Sequence, residues 1–199
     1  ASITDICEAE YNGYVYGVVG IHPDNVGKDT LRAHPFWLTK TEELARKGST
    51  VAILTGLNMG RDESVHYGME SLFLSSLKLA FEIELPVFVY LQNDHLSVDR
   101  CIELLTENGY IKDIWEEEEE KEGKEEGNEE ENDIEQDPES LKKLKFGKRI
   151  LIHDAINACG SNPDKIEMLV KAGLTLSVSA YGLCEEDDEV KTLAYECLT

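Results

Sequence analysis

Residues able to do chemistry gather where apolar runs of the sequence give way to polar ones, and this happens five times. GVVGIHPD delivers His22, Pro23 and Asp24; VAILTGLNMGRD delivers Thr55, Asn58, Arg61 and Asp62; VFVYLQND delivers Tyr90, Gln92, Asn93 and Asp94. RILIHDAIN delivers His153, Asp154 and Asn157, and LTLSVSAY delivers Ser179 and Tyr181. A histidine at such a place ligates a metal or exchanges a proton, or makes a structural hydrogen bond at a strand end. Spacing alone favours the hydrogen-bonded reading for His22 and His153, since no two histidines stand in H-x-H or H-x-x-x-H order. Asp24, Asp62, Asp94 and Asp154 come from four separate loops and form no local acid–base pair. The sequence has no P-loop, no Gly-rich dinucleotide fingerprint and no G-x-S-x-G elbow. Brought together by one fold, the set would form either a rim for a small polar ligand or an ordinary loop face, since loops collect polar residues.

The hydrophobic pattern supplies such a fold. Tyr14 to His22, TVAILTG, VFVYLQ, RILIHDA and LTLSVSA read as strands. Between them lie helical stretches: about Leu38 to Lys47, stopped by Gly48, and His66 to Glu84, with Met69, Phe73, Leu77 and Ala80 at helical spacing. A third runs from an expected N-cap at Ser97 through Leu105, with Gly109 on its C-terminal side. A fourth starts at Asn162-Pro163 and ends at Gly173, and Asp187 to Cys197 is expected to be helical. Near-continuous apolar strands alternating with helices predict an α/β fold, a parallel sheet with flanking helices. In such sheets ligands bind at the carboxyl ends of the strands, where the five polar clusters fall. A closed eight-unit barrel needs about 250 residues, so the chain is expected to be partial TIM-barrel-like, with about five βα units. His34, His66 and His95 fall at loop or helix-start positions and carry no functional expectation.

Charge is unevenly spread. Of the formal −22, the segment Asp113 to Ser140 holds 16 acids against Lys121 and Lys124, a balance of −14, which leaves −8 for the remainder. The tract is expected to be a disordered, solvated insert. The expected organisation is residues 1–112 as the first βα units, 113–146 as acidic insert and return, and 147–199 as the remaining units. The sequence shows no basic stripe of a tight nucleic-acid binder. Cys7, Cys101, Cys159, Cys184 and Cys197 are scattered and odd in number, which predicts buried free thiols and an intracellular, cytoplasmic or nuclear setting. No uninterrupted apolar run of transmembrane length occurs, so no membrane partner is expected. The N-terminus has neither the basic start nor the apolar run of a signal peptide; it begins at Ala1, as a processed chain or a segment of a longer protein would.

Several blocks resemble the TatD-type metal-dependent hydrolases, a family of deoxyribonucleases. GVVGIHPD is similar to the family's G-x-H-P segment, and VAILTGLNMGRD to its A-I-G-E-x-G-L-D strand. MESLFLSSLKLAFEIELPVFVY is similar to the stretch that ends P-V-x-x-H, and LIHDAINACGSNPDKIEMLVKAGLTLSVS to the one that begins H-C-F-S-G. The resemblance runs from about Tyr14 to Ser179, interrupted by the acidic tract. It implies an amidohydrolase-like barrel in which divalent Mg, Mn or Zn activates water to cut a nucleic-acid phosphodiester. It also implies site residues: the bridging Glu falls on Leu54, the Asp of G-L-D on Asn58, and the His of P-V-x-x-H on Tyr90. His22 keeps the G-x-H-P histidine and His153 the H-C-F-S-G histidine, making His153 the expected metal position. The family's H-x-H pair and late Asp would lie before Ala1 and after Thr199. The resemblance thus implies a hydrolase scaffold with an eroded metal site, in which His22, Asp24, Asp62, Asp94 and Asp154 remain as rim residues. The rival expectation is a non-catalytic binding or assembly protein that uses the scaffold and presents the acidic insert to a basic protein.

Overall fold

The structure is a computed structural model that describes residues 14–92, 95–113, 137–160 and 162–178. Five strands form one sheet: β1 (Gly17–Gly20), β2 (Thr50–Leu57), β3 (Val87–Leu91), β4 (Ile150–His153) and β5 (Thr175–Leu176). They lie side by side in the order of the sequence, and every pairing is parallel. A chain that always steps the same way through right-handed crossovers lays its helices on one face of the sheet. That is the wiring of a β/α barrel wall, whereas a doubly wound sheet reverses direction at a switch point. The expected parallel α/β sheet with about five βα units is the observed one.

The covering helices are α1 (Lys28–Arg32), α2 (His34–Ala45), α3 (His66–Glu82), α4 (His95–Glu107), α5 (Pro138–Gly147), α6 (Ala155–Ala158) and α7 (Pro163–Lys171). In β2, Ile53, Thr55 and Leu57 are closed off from solvent, as are Val87, Val89 and Leu91 of β3 and Ile150 and Ile152 of β4. Alternate side chains of a strand share a face, so these residues define the helix-covered side. Phe73, Leu77 and Ala80, spaced i, i+4 and i+7 on α3, bury against it, joined by Val98, Cys101 and Leu105 of α4. Arg100 of α4 clamps α3 through a two-pronged pair with Glu70, 2.9 Å on each prong, and reaches Glu103 at 2.8 Å. The Glu70 hydrogen bonds, then those of Glu103, hold its guanidinium charged well above the ordinary arginine value.

Many boundaries follow the sequence; α1 and α6 had no counterpart in it, β1 is shorter than Tyr14 to His22, and three further differences have local causes. Helix α2 begins at His34, ahead of the expected Leu38, because Pro35 provides a helix-compatible first turn. Ser97 is not the N-cap of the following helix: α4 starts at His95, and Ser97 is fully buried with its hydroxyl accepting the Met59 N–H at 2.9 Å. Residues 138–147, read as the return of the insert, form α5, which Asp137 caps by accepting from the Glu139 and Ser140 N–H groups. Phe146 pins this helix against Phe81 and Tyr110, with ring centroids 5.5 and 6.0 Å apart. The Asn162-Pro163 start and the Gly173 stop of α7 are as expected, with Gly173 at φ +72°. The acidic tract from Ile114 to Gln136, Asp94, Ser179, Tyr181 and the stretch Asp187 to Cys197 lie outside the described residues.

Candidate functional site

The register decides which polar residues meet. Gly20 pairs with Leu54, so His22, two residues on, stands level with Gly56; Gly56 pairs with Tyr90, and Tyr90 with His153. Four strand ends thus contribute one row across the uncovered face: His22, Gly56, Tyr90, His153. Gly56 is the gap in that row. A Cβ built there would stand 1.9 Å from the Tyr90 carbonyl oxygen, so β2 and β3 approach too closely for any side chain. With no side chain between them, the His22 and Tyr90 rings come within 4.1 Å, tilted by 51°. Tyr90 in turn lies 6.2 Å from the His153 ring at 31°.

One step below, Leu54 pairs with Phe88 and Phe88 with Leu151, an apolar layer under the row. One step above, the buried Asn58 side chain donates to Asp24 Oδ1 at 2.7 Å. A carboxylate at position 58 would repel Asp24 unless a cation stood between them; the amide supplies its own proton donor instead. Asp24 sits in the 3-10 turn Pro23–Asn25, with its backbone N–H donating to His22 Nδ1 at 3.3 Å and a carboxylate oxygen 3.7 Å from the same atom. The Arg61 guanidinium closes the turn, donating to the carbonyls of Pro23 and Asp24. His66 Nε2 lies 2.9 Å from the Arg61 carbonyl and fixes that loop.

The other expected rim residues do not join this group in the same way. Asp62 caps the 3-10 turn Glu63–Val65 and accepts the Ser64 N–H at 2.8 Å. Hydrogen bonds from the Ser64 side chain and then its backbone hold the Asp62 carboxyl below its ordinary range, so its capping role is structural. Asp154 turns the chain after β4 with φ +49°, its N–H donating to Ser177 Oγ at 3.0 Å. Among the described residues, no group of three or more His, Cys, Asp and Glu side chains stands close enough to hold a metal ion. Of the rim groups with metal-donor chemistry, His22, Asp24 and His153 are flanked by the neutral Asn58 and Tyr90 and the apolar Leu54. Arg61 was among the strand-end residues of the sequence, but its carbonyl targets, and Gly56 as the bare level of the row, emerge only from loop closure and register.

A one-directional parallel wall of βα units, with its polar residues at the strand ends, is the architecture of β/α-barrel hydrolases. The chain matches the TatD related DNase family over residues 2–196 and belongs to it. It is similar to the 3'-5' ssDNA/RNA exonuclease TatD of Yersinia pseudotuberculosis serotype O:3 (strain YPIII), 35% identical over 100 residues, which is 49% of this chain and 35% of that protein. The aligned stretch therefore spans about a third of that relative's length. The family is metal-dependent. Among the described residues, no helix is long and apolar enough to cross a membrane.

Proposed function

We propose that this chain is a TatD-family scaffold that receives single-stranded nucleic acid at its rim without assembling the metal centre that would cut it. The observation that carries this reading is the set of neighbours around the retained donors. Leu54 lies in an apolar layer with Phe88 and Leu151, Asn58 donates to Asp24, and the Tyr90 ring stands between His22 and His153. A two-metal hydrolase neutralises the phosphodiester and activates water through bridging carboxylates and imidazoles. Here those positions offer a methyl-bearing chain, an amide and a phenol. What remains chemically is recognition: the Arg61 guanidinium, the two imidazoles, the Tyr90 phenol and the Asn58 amide can orient an anion and its surroundings without breaking a bond.

Titration with Mg²⁺, Mn²⁺ and Zn²⁺ tests the reading. The melting temperature is expected to stay unchanged, and a labelled single-stranded oligonucleotide is expected to stay intact. A metal-dependent rise in melting temperature that His153→Ala removes, accompanied by release of nucleotides, overturns it. The triple change Leu54→Glu, Asn58→Asp, Tyr90→His is expected to introduce metal-dependent thermal stabilisation where the parent chain has none.

The tract of 16 acids in Asp113 to Ser140 favours a second reading, an assembly protein that presents this tract to a basic partner inside the cell. Because Asp137 caps α5, the deletion that tests it spans Glu116 to Glu135 and stops short of the cap. Loss of a captured basic protein with unchanged melting temperature supports it; unchanged capture overturns it.

A further inference from the structure

Beside the rim, between the end of β1 and α2, lies a cavity of about 280 Å³ lined by Gly20, His22, Asn25, Trp37, Lys40 and Thr41, among others. Trp37, Lys40 and Thr41 share one face of α2, so this helix supplies an entire wall. Trp37 is 41% exposed, and its ring is braced edge-on by Phe36, centroids 5.3 Å apart at 71°. Thr30 closes the floor by donating its hydroxyl proton to the Asn25 carbonyl at 2.8 Å. Among the described residues, Lys40 pairs with Glu43 at 2.6 Å, both side chains half-exposed, a surface pairing of little strength that leaves the ammonium open to an incoming phosphate.

We propose that this cavity is a nucleobase subsite, in which one unpaired base of a single-stranded nucleic acid stacks on Trp37. Three features select that ligand. The volume lies at the small end for ligand pockets and suits one planar ring system rather than an extended molecule. A rigid, half-exposed indole face beside a polar side chain is the arrangement that holds splayed bases, with Asn25 placed to meet a base edge. His22 belongs both to this wall and to the rim row, so a strand with a phosphate at the rim carries a neighbouring base to Trp37. Since the segment outside the acidic tract still carries −8, stacking rather than phosphate charge dominates, and the salt dependence of binding is shallow.

The proposal rests on the nucleic-acid reading of the rim, and the test separates the two. Fluorescence of the full chain carrying Trp115→Phe, which leaves Trp37 as the sole tryptophan, is titrated in EDTA with oligothymidylate and with an abasic sugar–phosphate oligomer of equal length. Oligothymidylate is expected to quench Trp37 and the abasic oligomer to bind far more weakly. By anisotropy of a labelled oligonucleotide, Trp37→Ala is expected to weaken binding about tenfold, whereas Trp37→Phe retains most of it. Asn25→Ala is expected to weaken it less, with melting temperature unchanged. Equal binding of the abasic oligomer, or unchanged affinity in a folded Trp37→Ala chain, overturns the subsite while leaving the rim reading intact. Absence of any oligonucleotide binding by the parent chain overturns both.

Discussion

On one face of β2, Ile53, Thr55 and Leu57 are shut beneath α3 and its neighbours; on the other, Leu54 is half-buried, Gly56 is bare and Asn58 is tied to Asp24. The same eight-residue strand thus serves two masters. The covered face obeys packing, which selects side chains by volume and, Thr55 apart, by apolarity, and changes little without loss of the fold. The open face obeys chemistry, and its residues can be exchanged while the strand stays where it is. The positions at which the resemblance implies metal ligands, Leu54, Asn58 and Tyr90, belong to the second.

The sharpest way to break this contrast is to truncate the same residue type on each side. Leu57→Ala is expected to cost about 2–5 kcal/mol of stability, read by urea denaturation, because its fully buried site cannot collapse. Gly56→Ala comes next: the new methyl group must push β2 off the Tyr90 carbonyl, at about 1–3 kcal/mol, and the altered His22–Tyr90 contact is expected to shift the His22 ring resonances in NMR. Leu54→Ala is expected to cost only about 1 kcal/mol, the value of little more than one buried methylene; equal losses at Leu54 and Leu57 would erase the distinction between the faces. Chemical reactivity reports the same boundary. Burial pushes the Cys101 thiol up to about 12, so iodoacetamide at neutral pH is expected to leave the Cys101 peptide unmodified in the native chain and to label it on unfolding.

The smallest effect concerns the helix that follows the acidic tract. The Ser140 hydroxyl, then the Ser140 and Glu139 N–H groups, hold the Asp137 carboxyl below its ordinary 3.8. A depressed folded value stabilises the native state above pH 3.8, and this contribution fades as the pH falls through the folded value. The melting-temperature gap between the parent chain and Asp137→Asn is therefore expected to hold near neutral pH and to shrink as the pH falls below about 4. A gap independent of pH would place the cap's contribution in geometry rather than charge.

Much of the covered face was legible in the sequence, because a buried parallel strand must be apolar along its length and α3 repeats its contacts every three to four residues. Helix α5 went unread although Asp137-Pro138 carries the same start signal as Asn162-Pro163; the adjoining run of acids masked it. Ser97 misled for a different reason: a serine ahead of an apolar run looks like a cap, yet its hydroxyl serves Met59 across a distance of 38 residues. At the rim, the members His22, Asp24, Asn58, Tyr90 and His153 were visible as strand-end residues. Their arrangement was not, since Gly56 as a window between two rings depends on the pairing of three strands.

Sequential strand order also has a kinetic side. Each pairing joins neighbours in the chain, so the wall can grow by adding one unit at a time with short loops to close. The exception is the step from β3 to β4, where residues 92–149 must be spanned against residues 58–86 between β2 and β3. Doubling such a span adds only about 0.6 kcal/mol of closure entropy. The chain can therefore host its long acidic detour at almost no thermodynamic loss, and closing the β3–β4 junction is slowed by less than about threefold.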